Sequence, residues 1–213
     1  MRPTVIGIGG GTGAGKTYLA NKLVEAFSEE NIAVINQDSY YKDLSYMPYE
    51  ERLKQNFDHP ESIDIGLFKS QLEQLINGKA IEMPTYDFSG HKRSIATTHI
   101  PYSSIIIVEG IFVLYYLQLC KLCTIRVFID ASEDIRFKRR VDRDIKERGR
   151  TKEAVRTQYQ STVQPMHKKF VEPSKNNADL IVKGEYRLRD VVDRINTKIT
   201  VSYTHLRAHE TVL

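Results

Sequence analysis

Apolar positions along the chain fall into two alternating patterns. Residues 4–9 (TVIGIG), 32–36 (IAVIN), 104–108 (SIIIV), 124–129 (TIRVFI) and 180–182 (LIV) are short runs rich in Val and Ile. Such runs predict strands buried on both faces of a parallel sheet. Between them lie helical periods. The stretch 16–29 carries Leu19, Leu23 and Phe27 at i, i+4, i+8, and 65–76 carries a stripe of Leu67, Phe68, Leu72, Leu75 and Ile76; both read as amphipathic helices. Further helical patterns cover 132–147, 151–163 and 188–199. Strands alternating with helices predict right-handed crossovers and a three-layer α/β fold, whose ligands sit at the carboxyl ends of the strands.

Residues 40–103 interrupt the alternation with one clear helix among scattered aromatic, Pro and His residues, and read as a substrate-side insertion. No repeat or linker divides the chain, so 1–199 is expected to form one domain. The stretch VSYTHLRAHETVL (201–213) has no amphipathic period and follows a complete helical pattern, so 200–213 reads as a non-native tail or else as a real but disordered terminus.

The chain's 213 residues, 41% hydrophobic and 27% charged, suit one globular core and exclude disordered, collagen-like and disulfide-scaffold classes. The longest apolar run, Ile111 to Leu117, is far short of the roughly 20 residues that span a bilayer. A cytoplasmic protein without a membrane partner is therefore expected. Charge adds little, because 31 basic against 27 acidic residues leave only +4. With acids interleaved among the arginines, no nucleic-acid partner is expected. Cys120 and Cys123 form one C-x-x-C beside Leu117, Leu119 and Leu122, and read as ordinary thiols between a helix and a strand.

Chemistry enters with GGTGAGKT, which fits G-x-x-x-x-G-K-[ST] between a predicted strand and a predicted helix. Glycines let the backbone wrap phosphates and turn N–H groups and a helix N-terminus toward their charge. Gly10, Gly11, Thr12, Gly13, Ala14 and Gly15 would form this cradle for ATP or GTP, Lys16 would reach the β- and γ-phosphates, and the Thr17 hydroxyl would hold Mg²⁺. Gly9, Gly11 and Ala14 also fit a dinucleotide fingerprint, but that loop has no use for Lys16-Thr17. A P-loop NTPase fold is the expectation. Asp38 and Glu109 each follow a predicted strand and should emerge at the same sheet edge. Glu109 would act on Mg²⁺ directly or through water, or else be a solvated strand-end acid. Asp38 would accept a proton from a hydroxyl being phosphorylated, or else cap a turn.

Residues 132–150 (SEDIRFKRRVDRDIKERGR) place Arg136, Arg140 and Arg143 on one helix face and Phe137, Val141 and Ile145 on another. A solvated basic face is the plain reading. Clustered guanidiniums ahead of Gly149 equally suit a lid closing over phosphates.

The loop, together with QDSYYKD (37–43), NFDHP (56–60), MPTYDFSGHKR (83–93), VEGI (108–111), RRVDRDIKERGR (139–150), QPMHKKFVEPSK (164–175) and ADLIV (178–182), resembles the uridine kinase (uridine-cytidine kinase) family of P-loop kinases. The resemblance runs in order from about Thr4 to Ile199. It implies transfer of the γ-phosphate of ATP or GTP to the 5′-hydroxyl of uridine, and of cytidine, by a homotetramer. It further implies that Asp38 is the catalytic base, with Lys16 on the phosphates and Thr17 and Glu109 on the magnesium side. Asp58 would bind the ribose hydroxyls, while Tyr86, Phe88 and His91 would form the pyrimidine pocket. Arg140, Arg150 and Gln158 would make further nucleoside contacts, and Arg143 and Arg148 would be lid residues near the phosphates. Without the resemblance, Tyr86 and Phe88 read as core aromatics and His91 as a surface histidine.

Overall fold

The computed structural model describes residues 2–27, 30–183 and 189–197. In chain order its elements are β1 (Thr4–Gly10), α1 (Lys16–Ala26), β2 (Ile32–Asn36), the single turn α2 (Tyr49–Arg52), α3 (Ile65–Ile76), β3 (Ile81–Asp87), β4 (Lys92–Ile100), β5 (Ile105–Glu109), the single turn α4 (Leu117–Cys120), β6 (Ile125–Asp130), α5 (Glu133–Arg148), α6 (Lys152–Gln158) and β7 (Leu180–Lys183). A further helix covers 189–197. The expected tail at 200–213 lies outside the described residues.

Five strands pair in the order β2-β5-β1-β6-β7, all parallel. Every residue of β1 and β5 is buried, as a sheet covered on both faces requires. Successive side chains enter opposite cores. Val5, Ile106, Val108 and Phe128 pack with Phe68, Leu72 and Leu75 of α3, whereas Ile6, Ile8, Ile107 and Val127 pack with Leu19 and Leu23 of α1 and with Val191 and Ile195. This is the expected three-layer architecture. β1 lies between β5 and β6, so the connection from β1 to β2 and the one from β5 to β6 run to opposite sides of it, and the crevice opens at its carboxyl end.

The insertion holds more structure than its periodicity indicates. β3 and β4 form a separate antiparallel hairpin with a register shift between Pro84 and Tyr86. β3 buries Ile81, Met83 and Tyr86, but β4 is almost wholly exposed, with Ile95 fully so. A strand that buries no face leaves no period-2 signal, which is why β4 is invisible in the apolar pattern. α3 fixes the insertion to the sheet. Asp64 caps it by accepting from Leu67 N, and Phe68 stacks on Tyr40 with ring centroids 4.3 Å apart, anchoring the 3-10 turn Gln37–Tyr40 beyond β2.

The two cysteines are free thiols. Cys120 donates to the Leu114 carbonyl at 3.4 Å and Cys123 to the Leu119 carbonyl at 3.3 Å, and burial pushes the Cys123 thiol up to about 12. A thiol held neutral inside the core is inert.

Beyond α6 the chain continues in π and 3-10 turns to Asn177, placing His167 against the loop after β1. Burial, reinforced by the Arg136 charge, takes the His167 imidazole from its ordinary 6.5 down to about 4, against the pull of Glu172 at 3.3 Å. Glu172 in turn is lowered chiefly by its hydrogen bond from Lys175. Between about pH 6.5 and about pH 4 the unfolded chain therefore binds more protons than the folded one, and stability falls as pH falls. Thermal unfolding across this window is expected to show that decline, and His167→Gln to flatten it; an unchanged slope would contradict the assignment.

Candidate active site

Gly10 to Thr17 curve from the end of β1 into α1 as one loop. The glycines are required by geometry. Gly13 has φ +72, and a Cβ there would collide with the Arg136 carbonyl; a Cβ on Gly11 would press on Arg136 and His167. Lys16 is buried and its Nζ donates to the Gly11 carbonyl at 3.0 Å, so its ammonium lies across the mouth of the loop. Burial lowers the Lys16 pKa, while Glu109 and Asp38 pull it back up.

The structure brings Thr17 and Glu109 together, the Thr17 hydroxyl donating to Glu109 Oε1 at 2.9 Å. The sheet register brings them together, because Glu109 pairs with Ile8 on one side and Asn36 on the other. Burial raises the Glu109 pKa, and Lys16 opposes it. Asp38 lies in the turn after β2, half-buried, and among the described residues its carboxylate takes part in no hydrogen bond or ion pair. Its charge nevertheless acts on Lys16, Asp58, Glu109 and Arg148, so these groups share one electrostatic site.

From Thr12 and Asp38 a cavity of about 680 Å³ runs to the insertion, a size that accommodates a small organic ligand. Its walls include Asp58, Tyr86, Phe88, His91, Arg140, Arg143, Arg148, Arg150 and Gln158. Residues spread over more than a hundred positions thus converge on one space. Asp58 follows an Asn56 turn, accepts from Thr162 at 3.5 Å and lies 3.9 Å from Arg140. Burial raises its pKa, against the Arg140 charge. Arg140 also donates to Thr12 Oγ1 at 3.2 Å and to Gln158 at 3.1 Å, linking the loop to the far wall. Gln158 accepts a second hydrogen bond from Arg150.

The far wall is aromatic. Tyr86 is buried in the core and, among the described residues, its hydroxyl has no hydrogen-bond partner, so it belongs to both core and cavity. Phe88 and His91 stand at the hairpin turn, where Asp87 accepts from Ser89 N and His91 takes φ +48. A left-handed histidine is strained by about 1 kcal/mol or more, offset here by stacking on Phe57 at 4.9 Å. Arg148 lies over the Phe88 ring at 4.9 Å.

Helix α5 corrects the plain reading of its arginines. Arg136 and Arg140 are buried and turned inward, while Ile145, expected on the apolar face, is 43% exposed. A solvated basic face is excluded. Tyr41 and Phe57 also line the cavity without having been singled out; Tyr41 packs on Tyr86 at 5.2 Å. Their only sequence signal is position, within the QDSYYKD stretch and immediately before Asp58.

Comparison with known proteins agrees with this geometry. The sequence model of the "Phosphoribulokinase / Uridine kinase family" matches residues 5–191. A uridine kinase of Lactobacillus helveticus is 45% identical over 199 residues, covering 93% of this chain and 94% of that protein. Among solved structures, a putative fructose transport system kinase from Silicibacter sp. TM1040 superposes with a TM-score of 0.69 at 19% identity, covering 85% of this chain and 90% of that one. Phosphoribulokinase from Rhodobacter spheroides gives 0.64 at 12% identity, covering 85% and 70%. These two show that the fold is shared, and the sequence matches go further: the chain belongs to the phosphoribulokinase/uridine kinase family.

Proposed function

We propose that the protein is a pyrimidine nucleoside kinase, transferring the γ-phosphate of ATP or GTP to the 5′-hydroxyl of uridine, and of cytidine. The observation that carries this is the single cavity joining the phosphate loop, through Asp38, to Asp58 and an aromatic wall. Relatives named uridine kinase over nearly the whole chain support the same reading.

In this reading the base lies among Tyr86, Phe88 and His91, where flat aromatic surface suits a pyrimidine and the unpartnered Tyr86 hydroxyl awaits a polar edge. Asp58 accepts from the ribose 2′- and 3′-hydroxyls, as a carboxylate with two oxygens can. Asp38, unencumbered by protein partners, takes the proton of the 5′-hydroxyl as that oxygen forms its bond to the γ-phosphorus. The bond from phosphorus to the β,γ-bridging oxygen breaks, and the nucleoside diphosphate leaves. Lys16, Arg143 and Arg148 neutralise charge on the transferring group.

Thr17 and Glu109 offer hard oxygen donors beside the loop and fit Mg²⁺. Among the described residues no cluster of three or more His, Cys, Asp or Glu side chains could hold a metal ion, so phosphate and water would supply the rest of the shell. Held by Thr17 and Glu109, Mg²⁺ would supply positive charge to offset that of the phosphates.

We carry the single domain over 1–199, a cytoplasmic setting and a homotetramer as part of the proposal, without nucleic-acid or membrane partners. Among the described residues no helix is long and apolar enough to cross a membrane, and the exposed β4 offers a surface for assembly.

Diphosphate release with ATP, Mg²⁺ and a panel of uridine, cytidine, adenosine, guanosine, pantothenate and ribulose 5-phosphate tests the reading. Release confined to the two pyrimidine nucleosides is expected; release with another acceptor, or with none added, would sink it. Asp38→Asn is expected to lower turnover by roughly 10²-fold or more while nucleotide affinity stays within about threefold. Undiminished turnover would remove Asp38 from its role as base.

A further inference from the structure

Asp144 is the one carboxylate of α5 with no solvent exposure at all. Four guanidiniums surround it, divided between its two oxygens. Oδ1 accepts from Arg143 Nε at 3.0 Å and Nη2 at 2.8 Å and has Arg148 at 3.9 Å. Oδ2 has Arg150 at 3.3 Å and Arg140 at 3.6 Å. The backbone joins in, because the Asp144 carbonyl accepts from the amides of Gly149 and Arg150, turning the chain so that Arg150 returns to the same carboxylate.

The division follows the cavity. Arg143 and Arg148 are the pair assigned above to the phosphates. Arg140 and Arg150 converge on Gln158, and Arg140 reaches Asp58. Four cations packed into one corner repel one another, and long side chains would otherwise turn outward to water. Burying a lone carboxylate is costly as well, so neither the acid nor the arginines are stable there without the others. Hydrogen bonds from Arg143 and the charges of Arg140, Arg143 and Arg148 hold Asp144 below the ordinary carboxylate range, although burial pushes the other way.

We infer that Asp144 is a positioning residue for phosphoryl transfer, setting the phosphate-side arginines through one oxygen and the nucleoside-side arginines through the other. It touches neither reactant. Its effect on rate passes through guanidiniums that must face the transferring charge at a fixed distance, where small displacements are expensive. The inference deepens the kinase reading and rests on it for the choice of acceptor.

A double-mutant cycle on kcat decides the matter. Asp144→Asn preserves shape but turns one oxygen into an N–H donor facing arginines; it is expected to lower the melting temperature, and to lower kcat by about 10- to 100-fold when assayed at a temperature where the variant is still fully folded. Arg143→Ala alone is expected to cost a similar factor. Because both act through one guanidinium, the double variant should fall short of the product of the two losses by at least about fivefold. A merely structural aspartate would give losses that multiply. Multiplying losses, or kcat within about threefold of wild type for Asp144→Asn, would overturn the inference. Should Asp144→Asn fail to fold, the same cycle with Asp144→Glu, which keeps the charge and shifts it by one methylene, applies the same criterion. The wild-type enzyme is assayed alongside. If it phosphorylates another acceptor, the cycle is run with that acceptor; if it phosphorylates none, the cycle is read as affinity for a non-hydrolysable ATP analogue under the same fivefold criterion. Failure of the kinase reading and failure of the Asp144 inference are thus separate results.

Discussion

The charge of Asp38 acts on both Glu109, at the carboxyl edge of the sheet, and Asp58, in the insertion, beside a loop shaped for a polyanion. Left alone, that concentration of negative charge would repel any phosphate and raise every carboxyl pKa. Compensation comes from Lys16 on one side and from the inward arginines of α5 on the other. The position of α5 is therefore the condition on which both halves of the site depend. Its backbone lies so close to Gly13 that no side chain fits between them, and Arg139 and Arg140 reach Ala14 and Thr12 of the loop.

This arrangement costs stability. Two arginines and an aspartate of α5 are buried, and the helix leaves Ile145 in water. An ordinary amphipathic helix would do the reverse. Such an inversion suits a helix whose inner face serves a charged ligand rather than a core, and it places function ahead of packing in the choice of residues. The aromatic wall follows the same logic, with His91 held in a strained left-handed conformation at a hairpin turn and an unpartnered hydroxyl on Tyr86.

The central sheet and its main helices were legible because parallel strands buried on both faces write continuous Val and Ile runs, and the loop because its glycines and Lys16 obey a spacing set by phosphate geometry. The hairpin escaped because β4 buries no face, and the direction of the α5 arginines because periodicity groups residues without saying which group turns inward. Asp58, Phe88 and His91 could be named only through resemblance, since nothing local distinguishes them from loop residues until the fold brings them to one cavity. Asp144 read as one more acid in a charged helix; only its neighbours in space mark it out.

The most direct test is a crystal structure with uridine and a non-hydrolysable ATP analogue bound together. The account requires the nucleoside 5′-oxygen within hydrogen-bond reach of Asp38, the ribose hydroxyls on Asp58, and the pyrimidine against Phe88 and His91. A nucleoside seated elsewhere, or a 5′-oxygen turned away from Asp38, would contradict it.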